Sequence, residues 1–590
     1  MNVHEQFATF FPEPMIQPFA YLVVKHLFEG HICVDVDAVD LDEAFAGSKF
    51  ANSSVDKKHL LKSDLVGGSE ADNRPFVLSK GKLYLHRYYR YESQIIKKIS
   101  DFVDSEKSQI SARQLFLDKN KAFVHQLNAE IGKQSTTIEK IDWQLAGALM
   151  GFQHNFTVIT GGPGTGKTTT VAKILALLYL ENTELKVALT APTGKAGIRM
   201  LESLKENDKV AGYGIKKEVE KLESSTIHRL LGYRRNSPYF RHDEENYLPH
   251  DVVIVDEASM IDVSLFAKLL NAIDPNSRVI LLGDKDQLAS VEAGSMLGDL
   301  SCSQFPLNFL SKNLIHDVNK FIIDAEGQIP NTFIDNKRTG LLKDHIVELK
   351  KSHRFAKDSG IGKLSDAIIL SDANGIKSFF DTGDPAIELD EEYSTKQFNS
   401  FVAGYSAYIG ADIEVALESI NNLKVLCAVR KGPQGKYVVN ERIEQVLVRA
   451  GLLKVDDEFY ENRPIIVTKN FKDLELYNGD IGIIRTDVDG VKKVHFLDSQ
   501  NNVRKVLPGY IPACETVFAM TIHKSQGSEY KNVMVILPKK GSGSLLTKEL
   551  LYTAVTRAKE KVLLQATKEG ILAAASRSVN RASGISNRIK

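Results

Sequence analysis

Charge of one sign is the first thing this sequence lacks. Lysine plus arginine and aspartate plus glutamate each number 75 in 590 residues. No overall field draws the chain to a polyanion, so any nucleic-acid contact must sit in a local groove. Cysteine is scarce: Cys33, Cys302, Cys427 and Cys514 are scattered without a Cys-x-x-Cys pair. That argues against a disulfide framework or zinc site and predicts free thiols. No apolar run approaches the length that crosses a bilayer. The N-terminus, MNVHEQFATFF, has neither the basic start nor the apolar core of a secretory leader, so a cytoplasmic protein without membrane contact is expected. At 43% hydrophobic and 25% charged residues the composition is that of a globular protein, and its length implies about three or four domains.

What is present is organised around VITGGPGTGKTTTV, residues 158 to 171. An apolar strand, Phe156 to Ile159, leads to Gly161, four further residues, and Gly166-Lys167-Thr168. This is the pattern of a phosphate-binding loop. Glycines let backbone N–H groups turn inward around a polyphosphate, Lys167 adds a point charge, and Thr168 offers a hydroxyl to Mg²⁺. The helix that follows aims its positive end at the same anion. Downstream, DVVIVDEASM holds four apolar residues in a row, Val252 to Val255, a strand buried on both faces that delivers Asp256 and Glu257 to a sheet edge. Asp256 suits Mg²⁺ and Glu257 suits polarising a water. Arg278 to Leu282 reads as another strand, ending in Gly283-Asp284-Lys285-Asp286-Gln287, with Gln287 placed to sense a terminal phosphate and Asp284 to orient its neighbours. Upstream, Asp142-Trp143-Gln144 opens a helix, and the Gln144 amide matches an adenine edge.

The rest falls into an N-terminal region, residues 1 to 115, an α/β unit over 116 to 345, and a second α/β unit over 346 to 590 without a phosphate loop. In the first region, PFVLSKGKLYL reads as a β-hairpin. The cluster Arg87, Tyr88, Tyr89, Arg90 and Tyr91 fits base stacking, a partner protein, or packing of its own core. Tyr233 to Leu248 is polar and turn-rich, a protruding hairpin or a disordered loop. Between about 463 and 513 the alternation gives way to short strands and Asn-Gly and Asp-Gly turns, a small all-β insertion of barrel type. The last twenty residues, rich in Ala, Ser, Arg and Lys, are expected to fray. With nucleotide on one unit, an arginine of the other, Arg354 or Arg557, is placed to reach across to it.

The ordered set GGPGTGKTTT, TAPTGKA, STIHRLLG, VIVDEASM, LLGDKDQLASV, SHRF with SGIG, TIHKSQGSEY and YTAVTRA resembles superfamily 1 helicases, and within them the RecD branch. The resemblance covers roughly residues 116 to 565. It implies an α/β fold of two RecA-like parallel-sheet motor domains, a small N-terminal partner-docking domain and an SH3-like insertion that grips DNA. It also implies an ATP- and Mg²⁺-dependent 5′→3′ DNA helicase acting with RecB-like and RecC-like subunits in break repair and recombination. The alternative is a standalone RecD-like helicase; its longer extension with helix-hairpin-helix modules is not seen in residues 1 to 115. By resemblance Gln144 contacts adenine. Gly161, Gly162, Pro163, Gly164, Thr165, Gly166, Lys167, Thr168 and Thr169 hold phosphates, with Thr168 and Asp256 on the metal. Glu257 is the base, Gln287, Arg354 and Arg557 meet the γ-phosphate, and Gly527 and Glu529 approach the ribose. Pro192, Thr193, Thr226, His228, Thr521 and His523 line a single-strand track, and the Tyr233–Leu248 segment splits the duplex. No carboxylate-rich nuclease constellation stands outside the nucleotide site, so a nuclease centre is expected on another chain.

Overall fold

A run such as Val252–Val255 is stable only where both faces of its strand are covered, and all four of its residues are buried. The computed structural model describes residues 2–51, 56–128, 140–235, 237–354, 359–498, 502–539, 545–579 and 581–589. Expected features at Asn236, Phe355 and 499–501 lie outside them. The Val252–Val255 strand sits inside a six-stranded sheet ordered Ile346–Leu349, Phe156–Gly161, Arg278–Gly283, Val252–Val255, Val187–Ala191, Ser224–Thr226. Every pair is parallel. All strands therefore end at one edge, where an open α/β sheet binds its ligand. Ile346–Leu349 falls beyond the boundary expected at 345 yet completes this first sheet; an apolar tetrapeptide announces a strand but not which sheet takes it.

A second sheet, also all parallel, runs Ile387–Leu389, Ala558–Gln565, Tyr530–Ile536, Leu423–Cys427, Ala519–Thr521. Between its strands in sequence lies a five-stranded antiparallel sheet, Val503–Val506, Lys492–Leu497, Ile481–Thr486, Pro464–Val467, Cys514–Thr516. It has its own apolar centre of Ile465, Val467, Ile484, Val494 and Phe496.

The N-terminal region carries a four-stranded sheet, with the expected hairpin at Phe76–Ser79 and Lys82–Leu85. Lys80 and Gly81 both have positive φ, 49° and 75°, the two-residue turn that matches strand twist. The helix that follows, His86–Glu106, buries Ile95, Ile99 and Phe102 in the same core as Phe156, Val253 and Phe266. It thus packs with the six-stranded sheet, although the boundary expected at 115 places it outside. Tyr88 and Tyr91 pack on that core, and Tyr89 lies edge-on to Tyr84 and beneath Arg588. These tyrosines pack within the chain and stay partly exposed.

The tail is not frayed. Ile585 and Ile589 are buried, Ile32 N donates to Ala582 O at 3.0 Å, and Arg588 pairs with Glu92 at 3.1 Å. Two isoleucines four apart put one apolar stripe on a short helix, which the polar composition around them obscures. Arg581 donates to Glu292 O and Gly294 O, both at 2.7 Å. Tyr233 to Leu248 is closed by two isolated antiparallel bridges, Tyr233–Phe240 and Asp243–Asn246, and leaves Tyr239 exposed. Among the described residues no helix is long and apolar enough to cross a membrane.

Glu106 joins the N-terminal helix to this core. Its carboxylate meets His154 Nδ1 at 2.9 Å and His345 Nε2 at 2.8 Å, and accepts Asn155 N at 2.6 Å. Burial alone would raise this carboxyl, but the two histidines bring it down to about 2. A depressed carboxyl stabilises the fold above its unfolded pKa near 4.5 and loses that contribution as pH falls towards 2. Glu106→Gln is expected to cost about 2 kcal/mol at pH 7 and to flatten the decline of Tm below pH 4.5. Thermal denaturation against pH checks this; an unchanged acid limb would count against it.

Candidate nucleotide site and strand track

The phosphate loop leaves the buried strand Phe156–Gly161 and ends where the helix Lys167–Glu181 begins. Two positions in it admit only glycine. Gly164 has φ 75°, and a Cβ there would stand 2.3 Å from the Cβ of Arg354. Gly166 has φ 86°, and a Cβ there would stand 2.2 Å from Gln144 Nε2. The loop is clasped from both sides. Gln144 Nε2 donates to Thr165 O at 3.2 Å, Ser352 Oγ to Pro163 O at 3.1 Å, and His353 N to Gly164 O at 2.7 Å. Lys167 lays its ammonium on Gly161 O and Gly162 O, at 2.6 and 3.1 Å. Those two glycines therefore supply carbonyls to the lysine, while Pro163 through Thr169 line a cavity of about 780 Å³.

Asp256 and Glu257 enter the same cavity from the end of Val252–Val255. Glu257 stands at φ 50°, a left-handed conformation that costs a non-glycine residue about 1 kcal/mol or more and clusters at functional sites. Burial, and then the neighbouring Glu257, push Asp256 up to about 7, with Lys167 opposing them. The third strand end brings Gln287, whose Nε2 donates to Asp284 Oδ2 at 2.9 Å. That bond fixes the amide and leaves Oε1 buried without a partner, an acceptor in want of a donor. The cradle and the converging cations fit a nucleoside triphosphate, whereas this amide oxygen, an acceptor, suits a water and not a phosphate oxygen. The Thr168 hydroxyl and Asp256 carboxylate are the hard oxygen donors that suit Mg²⁺.

The second lobe closes the cavity with Gly527, Glu529, Arg557 and Lys559. Glu529 pairs with Arg354 and Arg199 and lies 3.5 Å from Lys559. Arg557 is buried, donating to Thr553 O and Ser528 O at 3.1 Å each. The two lobes also meet through Asp284, which accepts Tyr552 OH at 3.0 Å, and through Leu288, whose N–H reaches Thr553 Oγ1 at 3.0 Å. Leu288 O in turn accepts Gln526 Nε2 at 2.9 Å. Any movement of the second lobe is therefore felt at Asp284 and Gln287.

The strand-track candidates lie on two lobes. Parallel pairing of Ala191 with Thr226 puts Pro192 and Thr193 beside Thr226 and His228. Thr521 and His523 follow the second-lobe strand Ala519–Thr521. Both histidines are exposed. Thr193, Thr226 and Thr521 each accept a backbone N–H, from Ala196, Arg229 and Lys524, and keep a hydroxyl proton for a phosphate or sugar. Sequence reasoning missed Arg199, His353, Lys559 and Tyr552. It also missed Tyr477, on the loop between Pro464–Val467 and Ile481–Thr486, which lies against Gly194, next to Thr226. His353, beside Arg354, was the one with a local signal.

Known proteins resemble this chain over most of its length. Residues 144–293 match the model of an AAA domain family, and residues 516–565 that of the UvrD-like helicase C-terminal domain. The chain is 34% identical to the RecBCD enzyme subunit RecD of Mycolicibacterium smegmatis, over 98% of this chain and 94% of that one. It is 28% identical to the ATP-dependent RecD2 DNA helicase of Deinococcus radiodurans, over 71% of this chain but 47% of that protein. Among solved structures, Bacteroides Pif1 bound to single-stranded DNA is similar over 74% of this chain and 94% of its own, with 18% identity and a TM-score of 0.38.

Proposed function

The chain belongs to the RecD family of RecBCD enzyme subunits and is an ATP-dependent DNA helicase; we propose that it moves 5′→3′ along single-stranded DNA as one subunit of a RecBCD-type helicase and nuclease complex. The observation that carries the motor reading is the cleft itself: a phosphate loop and acidic pair on one lobe, cations from the other, and hydrogen bonds joining the two. Identity of 34% to a RecD subunit over 98% of this chain, against 28% to a RecD2 helicase over 71% of it, supports the subunit over the standalone reading.

In the proposed reaction Gln144 meets the adenine, and Lys167 leaves its two carbonyls for the β- and γ-phosphates. Thr168 and Asp256 would hold a Mg²⁺ ion, which when bound neutralises phosphate charge. Glu257 takes the proton of the attacking water, which Gln287 Oε1 orients as hydrogen-bond acceptor. Arg354 and Arg557 stabilise the charge that develops on the γ-phosphate. Loss of that phosphate relaxes the Asp284–Tyr552 and Leu288–Thr553 links and moves the lobes by a step. Short hydroxyl and imidazole groups on both lobes hold phosphates and sugars without reading base edges, which supports sequence-independent tracking. We assign duplex splitting to the Tyr233–Leu248 segment and an SH3-like DNA grip to the antiparallel sheet. The exposed N-terminal side chains Phe10, Phe28 and Leu61 are offered as contacts for a RecC-like partner.

The test is unwinding of duplexes carrying a 5′ or a 3′ single-stranded tail, by the isolated chain and by the chain with RecB- and RecC-like partners. Unwinding from the 5′ tail alone is expected of this chain. Unwinding from the 3′ tail alone would refute the polarity and keep the helicase.

A further inference from the structure

We infer that Arg199 is a positioning residue for ATP hydrolysis: it holds Glu529 across the cleft and keeps it aimed at the ribose when Arg354 turns to the triphosphate. This rests on the ATP-hydrolysis reading above, and on the ribose contact that the family resemblance implies for Glu529 in the lining of the cavity, and deepens it. Arg199 stands on the first-lobe helix Gly194–Lys205. Its guanidinium makes two contacts with the second lobe, one to the Glu529 carboxylate and one, at 3.1 Å, to Gly527 O. Glu529 is nearly buried, and burial alone would raise its pKa; Arg199, Arg354 and Lys559 together bring it down to about 2. One carboxylate therefore gathers cations from both lobes.

These cations are not equivalent. Arg354 is anchored at the phosphate loop through Ser352 and His353, and its own Cβ lies against Gly164. Its guanidinium goes to Glu529, the anion within reach. A triphosphate on the loop carries more charge than one carboxylate and offers a guanidinium paired oxygens, so it wins Arg354. Arg199 has no such freedom. Its second bond, to the Gly527 carbonyl, ties the guanidinium to the backbone two residues before Glu529. After Arg354 departs, Arg199 is the cation that still fixes the direction of the Glu529 carboxylate. Lys559 is half exposed and 3.5 Å away, a flexible point charge that sets no direction. An isolated ion pair with one partner 35% exposed adds little stability; the value of this one lies in orientation.

The experiment is steady-state hydrolysis of ATP and of its 2′,3′-dideoxy analogue by the full chain with saturating single-stranded DNA. Arg199→Ala, Arg199→Lys, Glu529→Gln and the Ala/Gln double variant are compared. Arg199→Ala should raise KM for ATP about tenfold, the worth of one hydrogen bond to a charged group, with kcat within about threefold. KM for the dideoxy analogue should barely move. Arg199→Lys should recover part of the loss. The double variant should be no worse than Glu529→Gln alone, since residues acting as one unit are not additive. An unchanged KM in Arg199→Ala, multiplying effects in the double variant, or a fall in kcat of a hundredfold at constant KM would each overturn the assignment. The last would place Arg199 on the reacting phosphate. A wild-type chain without DNA-stimulated ATPase would instead refute the ATP reading itself.

Discussion

Lys167→Gln removes ATP turnover by about a thousandfold or more and leaves single-strand binding within about twofold. The two effects separate because the structure separates their causes. The loop takes its shape from residues that the substitution leaves alone. Gly164 and Gly166 hold their left-handed conformations, Thr165 Oγ1 donates to Gly162 O at 2.9 Å, and Gln144 and Ser352 clasp the loop from outside. The ammonium itself only rests on two carbonyls. Glutamine is shorter and uncharged, so it neither repeats those contacts nor meets the charge that builds on the β- and γ-oxygens. The candidate strand contacts, Pro192, Thr193, Thr226 and His228, come from other strand ends of the same sheet. Phosphate release with and without single-stranded DNA, beside anisotropy of a labelled oligonucleotide, measures both. More than a tenth of wild-type turnover would remove the loop from the reaction, and loss of DNA binding would show that the lysine shapes the track.

What was legible in the sequence was what lies close together along the chain. The phosphate loop is a contiguous pattern, and Val252–Val255 is apolar throughout because both faces are covered. The hairpin at Lys80–Gly81 announces itself by one glycine between two apolar runs. What escaped depends on contacts between residues hundreds of positions apart. Arg199 is one more arginine on an amphipathic helix until Gly527 and Glu529 arrive beside it. Tyr552 sits in a motif read for its arginine, yet its hydroxyl is what reaches Asp284. The helix His86–Glu106 has an apolar stripe that any neighbour would satisfy, and periodicity does not name the neighbour. At the tail, Ile585 and Ile589 carried the signal, and the Ala, Ser, Arg and Lys around them outweighed it.

Arg354→Ala should lower kcat by about 10³ while KM for ATP changes less than about threefold. The ground state explains the second half. Arg354 is paired with Glu529, so turning to a nucleotide breaks a protein ion pair and makes a new one, and the two nearly cancel. The gain appears only as charge develops on the γ-phosphate, which is where kcat is set. Removing Arg354 leaves Glu529 with Arg199 and Lys559, so no carboxylate is stranded and the fold should hold. Arg354→Lys should rescue little, because a point charge does not reproduce a planar fork. Arg557→Ala is the instructive contrast. Its guanidinium is buried and donates to Thr553 O and Ser528 O, so its loss takes that donor from Ser528 O, leaves Thr553 O with the Thr556 hydroxyl, and should lower Tm as well as kcat. Steady-state kcat and KM, with thermal melts of both variants, distinguish them. A raised KM with unchanged kcat in Arg354→Ala would mean that the arginine serves binding alone, and that charge stabilisation across the cleft falls to Arg557.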